Sequence, residues 1–192
     1  KETAVLLVNK AIELLEKDVE ADLSVVDLPS LSQERFSQLI EMQVEAWTRL
    51  TRLRMLFGDT IGSQYTAEKC LALVSVTNIS KADEAFLSPR VWRWISVCER
   101  FFGLAVAAII QPTGQDLALQ CDLRFVALDH FTLACDNGLR ANNEQLVVDA
   151  ATTAWNICTP LIDMSHLRDR LYDIMRRIVD DLNECKGADP VV

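Results

Sequence analysis

A chain of 192 residues, half of them hydrophobic and 24% charged, carries enough apolar material for one sizeable core. Its formal charge of −9 is spread along the length, about −4 over residues 1–59, −1 over 60–140 and −4 beyond, with no run rich in lysine or arginine. That balance sets direct binding of nucleic acid or of an anionic membrane aside, and the six glycines and five prolines are as few as long helices with few turns require.

Six cysteines invite a disulfide framework, but Cys70, Cys98, Cys121, Cys135 and Cys158 lie inside apolar helical runs and Cys185 closes another. There is no CxxC pair, and a chain of this size needs no covalent staples. We expect six reduced thiols acting as small hydrophobes, hence an intracellular compartment, which makes the sequon Asn78-Ile79-Ser80 incidental. The longest uncharged run, Phe101 to Ile110, is too short to span a bilayer. The chain starts at Lys1 directly in a helical pattern and ends at Pro190-Val191-Val192 with no cap, so we expect one domain over residues 1–192 taken from a longer polypeptide.

In chain order, apolar residues at helical spacing predict a first helix from Glu2 to Asp18, followed by an acidic connector, Glu20 to Leu28, that ends at Pro29. Ser30-Leu31-Ser32-Gln33 reads as a capping box opening a second, long helix to about Phe57, with Phe36, Leu39, Ile40, Trp47, Leu50, Leu53 and Phe57 inward. Glu41, Glu45, Arg49 and Arg52 face outward, and Glu45–Arg49 is a favourable pair four residues apart. Gly58-Asp59 and Gly62-Ser63 mark a loop, and Thr66 opens a third helix through Val76; its β-branched end, Val74 to Thr77, is the one place where a strand competes. Lys81 to Leu87 is a second loop.

Ser88-Pro89 is a strong start for a fourth helix, because the serine oxygen accepts from a free N–H and proline at the first position loses no hydrogen bond. Val91, Trp94, Ile95, Cys98, Phe102, Ala105 and Ile109 make its apolar face, with Arg93, Ser96, Glu99 and Arg100 opposite. From Phe101 to Ile110 it is apolar all round, as expected of a helix covered on every side, and Gln111 to Gly114 stops it. A fifth helix runs from Gln115 to Asn137, with Asn137-Gly138 as its C-terminal signal. Asn142, with Gln145 three residues on, opens a sixth whose alanines allow close approach and which Thr159-Pro160 ends. The seventh, Ser165 to Lys186, is charged with one narrow apolar stripe of Leu167, Leu171, Ile174, Ile178, Leu182 and Cys185, and Gly187 terminates it. Alternate helices start about 50 residues apart, longer than a tetratricopeptide repeat and nearer the HEAT range. The expected fold is all-α: about seven helices in antiparallel pairs, stacked as a degenerate tetratricopeptide- or HEAT-like solenoid segment.

Candidate chemistry is thin. Asp180-Asp181-Leu182-Asn183-Glu184 has the look of an acidic metal-binding motif, but too little chain follows to supply a second cluster, so these acids are expected on the outer side of a charged helix. Asp163-x-x-His166 offers two ligands where a bundle metal site needs several, and His130 is expected at the edge of the core with one ring nitrogen satisfied. No nucleophile–histidine–acid set assembles, and Gly58 to Gly62 lacks the lysine of a phosphate loop. We therefore expect no catalytic residue, no metal and no cofactor. Trp47, Trp92, Trp94 and Trp155 are expected to fill gaps between helices, with Trp92, on the less apolar side of its helix, the best candidate for contacting a partner.

Asp136-Asn137-Gly138-Leu139-Arg140, then Leu146-Val147-Val148-Asp149-Ala150-Ala151 and Trp155-Asn156-x-x-x-Pro160-Leu161, resemble the helical-repeat regions of the very large cilia- and flagella-associated proteins of the axonemal central apparatus. The resemblance covers about 25 residues. It implies a cytoplasmic scaffold segment of a microtubule-attached projection, with protein partners and adjoining repeats of its own chain, no nucleic acid, no membrane and no catalysis. The alternatives are a regulatory or accessory helical domain of an enzyme or trafficking factor, and a helical bundle that binds a small molecule. Uncovered apolar surface at the first and last helices would favour the stack; a deep polar-lined interior cavity would favour the bundle.

Overall fold

A computed structural model of the chain describes residues 10–18, 33–76 and 87–187. Among the described residues the regular structure is helical, with no strand: α1 (residues 10–18), α2 (Gln33–Leu56), α3 (Thr60–Val76), α4 (Pro89–Ala108), α5 (Leu117–Arg140), α6 (Glu144–Cys158) and α7 (Arg168–Gly187). Two short 3-10 turns, Thr159–Leu161 and Ser165–Leu167, join α6 to α7. The β-branched end of α3 stays helical to Val76. The capping box at Ser30, the connector from Glu20 to Pro29, the sequon, Lys81 to Phe86 and residues 1–9 lie outside the described residues.

Local chemistry explains most of the boundaries. Ser88 caps α4 by accepting from the Val91 N–H at 3.3 Å, with Pro89 at the first position. Three of the departures from the sequence expectation have a plain local cause. Helix α3 begins at Thr60 rather than Thr66, because Asp59 accepts from the Gly62 N–H at 2.9 Å and caps it there, so Gly62 lies inside the first turn. Asn137-Gly138 does not end α5, which continues to Arg140; both residues are buried, and a Cβ on Gly138 would come within 2.9 Å of a Val147 methyl. The glycine serves a close approach to α6, and it is Asn142, at φ +49°, that takes the left-handed conformation in the turn. Asn143, not Asn142, then caps α6 by accepting from the Leu146 N–H at 3.3 Å.

Each helix from α2 on packs against its sequence neighbour, and α2 with α4, α4 with α6 and α5 with α7 also touch. Two apolar clusters result. One joins Ile12 of α1 to Ile40, Val44, Trp47 and Leu50 of α2, Ala67 and Cys70 of α3, and the first half of α4. The other joins Val106 to Phe125, Leu128 and Phe131 of α5, the alanines of α6, and Leu171 and Ile178 of α7. Phe102 of α4 packs against both. All six cysteines are free, five of them buried.

Helix α4 thus lies in the middle of the stack, buried even on the side that the sequence presents as polar: Ser96 and Glu99 are covered by α5, and Ser96 Oγ donates to the Ala134 carbonyl at 2.7 Å. The apolar stretch from Phe101 to Ile110 is covered only in part, with Gly103, Ala105 and Val106 buried and Ala108 exposed. Helix α5 likewise leaves Leu117, Leu119, Val126 and Leu133 open to solvent.

At Gly103 the α4 backbone meets α5 so closely that a Cβ would stand 2.7 Å from the Phe131 ring and 3.0 Å from the Ala127 carbonyl oxygen. An alanine in a helix ordinarily gains about 0.5–1 kcal/mol over glycine. Here we expect Gly103→Ala to destabilise by about 1–3 kcal/mol through overpacking, measured as a lower midpoint in urea denaturation.

Candidate functional site

Trp92 is buried, at 8% exposure, in the α1–α4 cluster, and the guanidinium of Arg140 lies 4.6 Å from its ring centroid. The exposure that made it a partner-contact candidate is absent, because α4 has neighbours on both sides. The tryptophan in solvent is Trp155 of α6, at 57% exposure, while Trp47 is fully buried and Trp94 half-buried.

His130 behaves as its place at a core edge suggests. Its Nδ1 lies 2.6 Å from Glu99 Oε2, and its ring stacks on Phe102 at 4.1 Å between centroids. This pairs a buried carboxylate and holds the imidazole between α4 and α5. Asp163 and His166 are both exposed, and among the described residues no three histidine, cysteine or carboxylate side chains converge as a metal site would need. Four of the thiols lean away from nucleophilic chemistry. Cys98 is pushed well above the usual thiol range by its hydrogen bond to Cys70 and by burial, Cys135 is pushed up to about 12 by burial and the nearby Asp181 and Asp136, and burial raises Cys158 and Cys185 as well. An activated thiol needs the opposite shift.

Two clefts remain. The first, about 650 Å³, opens between the α5–α6 turn and α7 and is lined by Asp136, Arg140, Asn142, Glu144, Asp181 and Glu184 among others. It corrects the reading of the acidic run on α7: Asp181 points inward, is only 8% exposed, and its Oδ2 has no hydrogen-bonding donor. Burial first, then the facing Asp136 carboxylate, raises its pKa from 3.8 to about 7; Arg177, paired with Asp136, opposes the rise and Glu184 adds to it. Burial and the facing carboxylate both favour the neutral form of Asp181 at the α5–α7 contact. The signal was in the spacing, since positions 171, 174, 178, 181 and 185 form one three-four stripe with the aspartate in an apolar place.

The second cleft, about 570 Å³, lies over α2, α4 and the start of α6. Its floor is Thr48, Leu53, Leu56, Trp94, Val97 and Leu146, and its rim is Arg49, Arg52 and Arg93, with no carboxylate in the lining. Arg49 lies over the Trp94 ring at 5.4 Å and pairs with Glu45 at 2.5 Å, whereas Arg52 and Arg93 form no ion pair among the described residues. The indole N–H of Trp94 is buried without an acceptor.

Fold and site together define an all-helical protein whose clefts offer charge and apolar surface without an assembled reactive centre among the described residues. The chain matches no protein-family model and none of the curated proteins. No helix among the described residues is long and apolar enough to cross a membrane.

The Asp181 pair makes a pH prediction. A carboxyl group that titrates near 7 when folded and near 3.8 when unfolded holds more protons in the fold between those values, so its stabilisation is complete below about pH 4 and is lost as pH rises through 7. Asp181→Asn, which cannot ionise, is expected to raise stability at pH 8 by on the order of 1–3 kcal/mol and to change it little at pH 4. Urea denaturation at the two pH values measures the difference.

Proposed function

We propose that the chain is a non-catalytic interaction scaffold: a segment of stacked helix pairs, of degenerate tetratricopeptide- or HEAT-like kind, that presents side chains to other proteins and to adjoining helices. The observation that carries this reading is the outer face of α6. Val148 and Trp155 stand seven residues apart, both exposed, with only Thr152 between them on that line, and Ile162 is exposed just past the 3-10 turn that follows the helix. An uncharged strip with a tryptophan at its centre, on a protein of net charge −9, is the composition of an interface core rather than of ordinary surface. Uncovered apolar residues at both ends of the stack, Leu14 and Leu15 on α1 and Tyr172 and Val179 on α7, support the same reading, since stacked helix units bury such faces against the next unit. A cytoplasmic location is supported by the free thiols, and an axonemal one only by the resemblance of the segment from Asp136 to Leu161.

The test is site-specific photo-cross-linking in the cells of origin. With the photoreactive group at position 155 we expect discrete cross-linked proteins, and with it at Asp180, exposed on the charged side of α7, none. Equal yields at the two positions would end the scaffold reading for this face.

A further inference from the structure

We infer that the arginine-rimmed cleft over α2, α4 and α6 is a docking site for an acidic segment of a partner protein, one that sets a bulky apolar side chain between carboxylates. The inference deepens the scaffold reading above and rests on it.

Charge argues first. The protein is acidic throughout, yet this cleft gathers Arg49, Arg52 and Arg93 with no carboxylate in its lining. Arginines on such a protein have abundant acids to pair with: Arg54 takes Glu16 and Asp59, Arg100 takes Asp149, and Arg177 takes Asp136. Arg52 and Arg93 stand apart, on two different helices, with their charge open to an outside carboxylate. Guanidinium groups are forks that suit carboxylates in pairs.

Apolar chemistry argues second. Between the arginines the floor is Leu53, Leu56, Val97, Leu146 and the Trp94 ring, and Leu56 is 67% exposed. A purely ionic ligand would leave that surface wet. A large apolar side chain covers it and dries the rim, which strengthens the arginine contacts. About 570 Å³ holds two or three such side chains, the scale of a short segment rather than of a second folded domain. Nucleic acid is the poorer fit, since three arginines on a body of charge −9 leave most phosphates repelled.

The cleft draws on α2, α4 and α6, the alternate helices of the stack, so a bound segment would bridge successive helix pairs and stiffen their packing. Arg100–Asp149, at 3.0 Å, already ties α4 to α6 beside it.

The test selects a displayed library of random 16-residue peptides on the whole chain, and in parallel on the double variant Arg52→Glu with Arg93→Glu and on Trp155→Glu. All three changes are at exposed side chains, and unchanged thermal midpoints would verify the folds. The expected result is peptides rich in Asp and Glu around a Leu, Phe or Trp. Their Kd, by fluorescence anisotropy, should rise at least tenfold on the double variant, rise between 50 and 200 mM salt, and hold on Trp155→Glu. Peptides without acidic bias, or with affinity untouched by the double variant but lost on Trp155→Glu, overturn the cleft while leaving the scaffold reading intact. No enrichment on any of the three proteins overturns the cleft and counts against the scaffold reading as well. A concentration-dependent dimer abolished by the double variant, seen by sedimentation equilibrium, replaces the outside partner with a second copy of the chain and also overturns the inference.

Discussion

Helix α4 is shared between two cores, and the contact that makes the sharing possible is Glu99 against His130. A carboxylate at 6% exposure is tolerated only with a partner, and His130 Nδ1 at 2.6 Å provides it from α5. The imidazole is itself braced by Phe102, the one partly buried side chain of α4 that packs against both apolar clusters. One turn away Ser96 donates to the Ala134 carbonyl, and the residue after Phe102, Gly103, lets the backbone sit on the Phe131 ring. These polar and steric matches set the register of α4 on α5 along most of their length. Apolar burial alone, which has no direction, would allow the helices to slide.

From that joint the stack extends both ways by similar means. Interhelical ion pairs sit at the edges of the apolar clusters: Arg54 with Glu16 and Asp59 at one end, Arg100 with Asp149 in the middle, Arg177 with Asp136 at the other. The two clefts lie where this pattern leaves charge over. Near α7 the surplus is acidic, and burial together with the facing Asp136 raises the pKa of Asp181 to about 7. Over α2 and α4 the surplus is basic, with Arg52 and Arg93 exposed on the rim and Arg49 paired with Glu45.

Much of this was legible in the residues. The Ser88-Pro89 start, the central place of α4, the six free thiols and the outward Glu45–Arg49 pair follow from rules that act within one or two turns of chain. The misreadings share a cause. Gly62 looked like a loop residue until Asp59 proved to be the cap, and Gly138 looked like a helix stop until Val147 proved to need its space. Trp92 looked exposed because its own helix places it off the main apolar face, and Asp181 looked solvated because its neighbours in sequence are acidic.

Periodicity and capping determined that this chain is helical, roughly where each helix begins, and which stripe of each is apolar, because those properties depend on residues three or four apart. Which side a second helix would cover was decided only by tertiary packing. A helix such as α4, with neighbours on several sides, buries Trp92, Ser96 and Glu99 as firmly as Ile95, and no one-dimensional pattern distinguishes a polar face left in water from one that meets its partner thirty residues on. The same holds for the arginine cleft: Arg49, Arg52 and Arg93 read as scattered surface charge until α2 and α4 set them around one tryptophan.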